Sequence, residues 1–256
     1  MFLEPFISDT EVVKIVKEKI LSKTPFALTR FGDGEIFILN RNASEHFLIK
    51  NCREWGYDYP TQVNNFYNDA NKILIDSLKN SDMIGLMNKN CNIISPNFFQ
   101  HNSIHQWTIQ KSLVRSFNID PNNLQICNHM ISREKIFGSA NSFKDIIQGQ
   151  DFHIISANTN KLKSKNLSKI FDVNVSYTQH NFNINFNNRK EFIDNFKNIK
   201  ENIVIFGVGL QKDYGVILKK QYNKIALDMG ATMDAWASIY SRQWFQKDSL
   251  QDYLVI

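Results

Sequence analysis

Apolar residues recur along the chain at two alternating spacings. Ser8 stands three residues before Glu11, and Val13, Val16 and Ile20 follow at helical intervals, so a capped amphipathic helix is predicted to run to about Ser22. Thr24-Pro25 stops it, because proline disfavours helix in the residue before it, and Phe26-Ala-Leu-Thr-Arg30 follows as a short buried strand. The helical stripe Val63, Phe66, Ala70, Ile73 and Ser77 then leads into the apolar run Met83–Met87. Similar short runs recur at Leu124–Cys127, Phe152–Ser156, Val173–Tyr177, Ile203–Phe206 and Ile225–Asp228. Between them, Phe192, Phe196 and Ile199, and then Tyr214, Ile217 and Leu218, mark helices that can cross between parallel strands. The pattern predicts an α/β fold, a mostly parallel sheet covered by helices on both faces.

No Pro-rich or Gly/Ser-rich linker and no repeat period breaks the series, so residues 1–256 are expected to form one domain. Residues 40–61, with Trp55-Gly-Tyr-Asp-Tyr-Pro60, are expected to form a long aromatic connection. Asn181–Asn188 alternates strictly, with Phe182, Ile184 and Phe186 on one face, as a half-buried strand or a binding loop would.

Composition narrows the class. Hydrophobic residues make up 43% of the chain, with 20 Phe, and charged residues 21%, which excludes a disordered or collagen-like chain. No apolar stretch approaches the ~18 residues of a bilayer-spanning helix, and no signal-peptide order opens the chain, so no transmembrane segment is expected. Cys52, Cys91 and Cys127 lie far apart without a Cys-x-x-Cys spacing, which argues against a disulfide framework or thiolate zinc site and for a cytoplasmic setting. A net charge of +5 permits anionic partners. The densest cationic cluster, Lys161, Lys163, Lys165 and Lys169, lacks the interleaved aromatics of single-strand binders, so nucleic acid is not an expected partner.

The candidate chemistry centres on Arg30-Phe-Gly-Asp-Gly-Glu35, directly after the first strand. Asp33 and Glu35, separated by one glycine, can converge on a hard divalent cation, while Gly32 and Gly34 let backbone and ligand approach closely. Strand C-termini are where ligands bind in open α/β sheets, and a following helix N-terminus favours phosphate. The plain alternative is a Gly-Asp-Gly turn whose carboxylates are solvated or cap a helix. Gly207-Val-Gly209 after the Ile203 strand resembles half of a dinucleotide fingerprint without its third glycine, and reads more simply as a tight strand-to-helix turn. Asp228 and Asp234 fall at or beyond a strand end, where one can hydrogen-bond a sugar or serve as base on an acceptor hydroxyl; helix capping is the alternative for Asp234. His101 and His105 are spaced for one helix face but lack the zincin Glu, and packing or surface roles are expected for them and for His129, His153 and His180. No nucleophile elbow, P-loop or Cys/His pair is present.

On these residues the chain resembles the GT-D glycosyltransferases, typified by the glucosyltransferase domain that extends glycans on bacterial serine-rich adhesins. Their hallmark is an Asp-x-Glu pair in a context like Arg30–Glu35, on a Rossmann-like α/β domain. Asn202–Gly209 followed by Ala226–Gly230 and Asp234 is similar to a second family stretch, and Ile126–Arg133, with Asn128 and Arg133, to a third. The chain departs from the family where Gly-Ala-Thr-Met-Asp-Ala-Trp236 replaces a Gly-His-Ile-Asp-like sequence. The resemblance implies transfer of a sugar from a nucleotide diphosphate donor, a UDP-sugar, to a glycan or glycoprotein acceptor in surface-glycan assembly. It also implies Mn²⁺ or Mg²⁺ at Asp33 and Glu35, with Arg30 and Arg133 as fork-shaped donors to the phosphates. In that reading Gly207 and Gly209 border the donor pocket. A metal-dependent phosphotransferase or phosphohydrolase using the same carboxylates, and a non-catalytic Rossmann-like module, remain the alternatives.

Overall fold

The computed structural model describes residues 7–86, 116, 125–128, 131–133, 135–180 and 188–239. His101, His105, His129, Cys91 and the alternating segment 181–187 lie outside the described residues. Seven strands form one sheet: β1 (Phe26–Arg30), β2 (Met83–Leu86), β3 (Gln125–Asn128), β4 (Phe152–Ser156), β5 (Val175–Gln179), β6 (Ile203–Gly207) and β7 (Ile225–Asp228). Their order across the sheet is β3-β2-β1-β7-β6-β4-β5, and every neighbouring pair is parallel. Parallel pairing forces each connection to cross a sheet face, and the described connections do so through helices.

The first helix, α1 (Asp9–Ser22), begins where expected: Ser8 Oγ accepts from the Glu11 amide at 3.2 Å, and Val12, Val16 and Ile20 are fully buried. With α5 (Lys135–Gly138), α6 (Ala140–Ile147) and α8 (Leu167–Phe171) it covers the face that carries Phe26, Leu28, Met83, Phe152, Ile154, Ile205 and Leu227. The opposite face is covered in two patches. Helices α2 (Asp33–Leu39), α3 (Glu45–Glu54) and α4 (Val63–Asn80) lie over Ile84 and Ile126, whereas α9 (Arg189–Asp194) and α10 (Tyr214–Tyr222) lie over Val204, Phe206 and Ala226. Successive residues of a strand point to opposite faces, which is why Met83 and Ile84 enter different cores. The Lys-rich segment forms two short helices, α7 (Thr159–Ser164) and α8, and Thr232–Trp236 forms α11.

Two expectations are corrected. Residues 40–61 contain α3, capped by Ser44 and buried through Leu48 and Cys52, so the stretch is not one long connection. Strand β5 begins at Val175, because pairing with Phe152–Ser156 sets its register and leaves Val173 in the preceding turn. No described helix is long and apolar enough to cross a membrane.

The order places β1 and β7 side by side although they come from opposite ends of the chain. From β1 the chain winds outward through β2 and β3, and on the other side it returns through β6 to β7. Such a reversal of winding opens a crevice at the strand C-termini, where α/β sheets bind their ligands. An aromatic cluster packs α11 against α6 and α8. Trp236 lies 5.2 Å from the ring centroids of both Phe143 and Phe171, and its indole N–H donates to the Gly138 carbonyl at 2.9 Å.

Candidate functional site

The Asp-Gly-Glu segment is not a turn before a helix: it is the first turn of α2, with Gly32 as the N-cap. Glu35 reaches back, and its Oε2 accepts from the Gly32 amide at 2.9 Å, half of a capping box. The capping role weighed from sequence is therefore real for Glu35, but it engages one oxygen only. Oε1 lies 3.2 Å from the Lys212 ammonium. Gly34 allows α3 to close over this turn, since a Cβ there would come within 3.2 Å of the Phe47 ring. The backbone of Asp33 opens α2, while its side chain lies outside the described residues.

At the neighbouring strand end, Asp228 is fully buried. Its Oδ2 accepts from the Arg30 amide at 3.1 Å and from Lys212 Nζ at 2.8 Å, and its Oδ1 is buried without a hydrogen-bond partner among the described residues. Asp228 thus holds the Lys212 ammonium and the Arg30 backbone amide from a fully buried position. The Arg30 side chain is also buried; Nη1 donates to the Met229 carbonyl at 3.3 Å, and Nε has no partner among the described residues. Burial alone would push the Lys212 ammonium toward deprotonation, but Asp228 and Glu35 outweigh it, so its pKa is raised and the charge retained.

Lys212 was not singled out from sequence. Its partners are distant along the chain, and only its place in the loop after a strand, four residues beyond Val208, was a usable signal. Both neighbours anchor that loop. Gln211 donates toward His180 at 3.3 Å and accepts from the Tyr214 hydroxyl, and Arg189 Nη2 donates to both oxygens of Asp213 at 2.6 and 2.7 Å. Three successive side chains thus fix the β6–α10 loop to three different parts of the fold.

Gly207, at the end of β6, meets the same crevice from the other side. A Cβ there would lie 2.4 Å from Met233 Cε and 3.0 Å from the Gly230 carbonyl oxygen, and one on Gly230 would lie 2.9 Å from Arg30 Nη2. Close backbone approach is what these glycines supply. Gly207→Ala is expected to push α11 and Gly230 outward and to cost about 1–3 kcal/mol, as overpacking does. Urea denaturation checks it, and an unchanged midpoint would show that Met233 simply swings aside. Gly209 adopts φ +62° and faces open space, so a turn conformation explains it.

Asp234 sits in the first turn of α11 and accepts from Asn158 Nδ2 at 2.9 Å, which ties that helix to the loop after β4. Asn128 ends β3, beyond β2 from the centre of the site. Arg133 closes a short 3₁₀ turn, with its side chain outside the described residues. The structure therefore brings together Arg30, Gly32, Glu35 and Asp228, with Lys212 added, and places Gly207 against Gly230 beside Arg30.

Two histidines are structural. His153, hydrogen-bonded to Ser176 and Thr178 and 3.7 Å from Glu201, and His180, against Gln211 and Arg189, both have pKa values lowered to about 4, by burial first. The unfolded chain protonates them near 6.5, so between pH 6.5 and 4 it binds more protons than the native state. Stability is expected to fall as pH drops through that window, by about 1.4 kcal/mol per pH unit for each imidazole. Denaturant midpoints at pH 7.5 and 5 measure it; equal midpoints would mean neither ring is held neutral.

Among the described residues no three His, Cys, Asp or Glu side chains gather as a ready-made metal cluster. The donors present are nevertheless hard carboxylate oxygens, including Asp228 Oδ1, which has no hydrogen-bond partner among the described residues and lies next to Glu35's salt-bridge partner. That chemistry fits Mn²⁺ or Mg²⁺ provided further oxygens come from Asp33 and from the ligand itself.

Residues 7–236 match the model of a family described as the GT-D fold-like domain. No curated protein matches the chain. Three solved structures share its fold. One, described as a domain of unknown function 1792 with a distinct glycosyltransferase fold, is 18% identical, with a TM-score of 0.54 over 90% of this chain and 84% of that one. Another, described as a new glycosyltransferase from Streptococcus sanguinis, is 15% identical, with a TM-score of 0.53 over 87% of this chain and 81% of that one. The third, a selenomethionine-substituted domain of unknown function 1792, is 18% identical, with a TM-score of 0.53 over 89% and 83%. At such identities the structures speak for the fold, a glycosyltransferase-like seven-stranded parallel α/β sheet. The family match extends over most of the chain, and this chain belongs to the GT-D fold-like domain family.

Proposed function

We propose that this chain is a glycosyltransferase that moves a sugar from a nucleotide diphosphate donor, a UDP-sugar, to a glycan or glycoprotein acceptor. The observation that carries it is the meeting of Glu35, Arg30, Lys212 and Asp228 at the β1/β7 crevice of a GT-D-like fold. Breaking the anomeric C–O bond leaves negative charge on a diphosphate, and a site that accelerates this step must hold positive charge where that charge develops. Arg30 places a guanidinium there with its orientation fixed by Met229 and Gly230. The glycines at 207 and 230 let Met233 and the Arg30 guanidinium pack tightly against backbone, which holds Arg30 in place. Asp33 and Glu35 would hold Mn²⁺ or Mg²⁺, which when bound supplies Lewis-acid stabilisation to the leaving group. Arg133 is proposed as a second phosphate donor, and Asp234, in the first turn of α11, as the base for the acceptor hydroxyl.

A panel of nucleotide sugars incubated with the chain and Mn²⁺, read as released nucleotide, tests this reading. Release of a nucleoside diphosphate from one donor, dependent on the cation, is the expected result. Release of inorganic phosphate would instead point to a phosphohydrolase. No turnover, together with no thermal stabilisation by any nucleotide sugar, would leave a non-catalytic module.

A further inference from the structure

The described charges at the β1/β7 ends balance: Arg30 and Lys212 stand against Glu35 and Asp228. Lys212 sits at the centre of that balance. Its Nζ lies 3.2 Å from Glu35 Oε1 and 2.8 Å from Asp228 Oδ2, on a side chain 8% exposed. The ammonium therefore occupies the space between two carboxylates into which a small cation would otherwise be drawn. It is not free to swing away, because Gln211 and Asp213 on either side are tied to His180, Tyr214 and Arg189.

We infer that Lys212 makes cation binding conditional on the donor: the site takes a divalent cation together with a nucleoside diphosphate and not by itself. This rests on the donor-site reading given above. A divalent cation arriving alone adds two positive charges to a cluster that is already neutral and largely shielded from solvent. Glu35 of the motif is already engaged by the Lys212 ammonium and the Gly32 amide. Screening that would mask such a repulsion at the surface is weak for buried groups. A nucleoside diphosphate carries at least two negative charges, so the pair enters with its charge compensated, and Arg30 gains an anionic partner at the same time. A lysine on the open surface would give no such discrimination, since it would be hydrated and would move aside.

Titration with Mn²⁺, followed by the electron paramagnetic resonance signal of the free ion and by Tm, tests the inference with and without UDP. For the wild-type chain, UDP is expected to raise Mn²⁺ affinity by about tenfold or more, and Mn²⁺ must then raise UDP affinity by the same factor. Lys212→Met is expected to bind Mn²⁺ without UDP about tenfold more tightly than wild type does, and to gain Tm from Mn²⁺ alone. Lys212→Arg, which keeps the charge, should retain the wild-type dependence on UDP. If the methionine variant does not fold, Lys212→Gln takes its place, with a polar contact to both carboxylates kept. Equal wild-type Mn²⁺ affinity with and without UDP overturns the inference, as does a neutral Lys212 variant that gains no affinity for Mn²⁺ alone. Failure of UDP to bind the wild-type chain under any condition would count against the donor site, while the uncharged variant's response to Mn²⁺ alone would still judge the lysine.

Discussion

Replacing either carboxylate of the α2 first turn, Asp33→Asn or Glu35→Gln, is expected to cut donor turnover at least about a hundredfold while the fold stays intact. Both changes keep side-chain size and remove the charge a hard cation needs. The fold should tolerate them for different reasons. Asp33 stands in the first turn of a seven-residue helix, where a neutral amide forgoes only a favourable interaction with the helix dipole, about 0.3–1 kcal/mol. Glutamine at position 35 keeps a carbonyl oxygen for the Gly32 amide, so the cap survives, while the Lys212 ammonium retains Asp228. Circular dichroism and Tm establish folding, and released nucleotide measures turnover. Full turnover in either variant, with the cation still required, would move the cation site away from this turn.

How much of this was legible in the sequence depended on whether a feature was local. Strands β4 and β7 coincide with their apolar runs, and α1 starts at the predicted cap, because short-range patterning and capping chemistry decide those boundaries. Strand β5 was misplaced by two residues, since its residues are only half buried at the sheet edge and β4 pairing sets its position. Helix α3 was missed because it buries just Leu48 and Cys52, too sparse a stripe to register; Ser44, whose hydroxyl accepts from the Phe47 amide, was the available sign. In the site, the Asp-x-Glu segment stood out because its residues are contiguous. Lys212 and the organising role of Asp228 did not, because their contacts are made by the sheet order, which brings the first and last strands together.

Removing the Asp228 carboxylate is expected to destabilise the fold more than any surface ion-pair change. The exposed pair Lys50–Glu54, 3.9 Å apart, sets the comparison: such pairs contribute about 0–1 kcal/mol, since water and salt screen them and two flexible side chains must be held together. Asp228 differs in each respect. It is fully buried, accepts from the Arg30 amide, and pairs with an ammonium that is itself buried. In Asp228→Ala the amide loses its partner and Lys212 keeps only Glu35, so a buried charge is left partly uncompensated, at a cost of about 3–5 kcal/mol. For a chain of this size that corresponds to a Tm loss of roughly 10 °C. The same logic makes the effect non-additive. Once Lys212→Met has removed the ammonium, deleting Asp228 relieves an unpaired carboxylate as well as creating a gap, so the double variant should be more stable than the two single losses summed. Chemical denaturation of the four proteins of this cycle measures the coupling. Additive losses, or an Asp228→Ala cost below about 1 kcal/mol, would show that the carboxylate is hydrated in solution and that Lys212 is held by Glu35 alone.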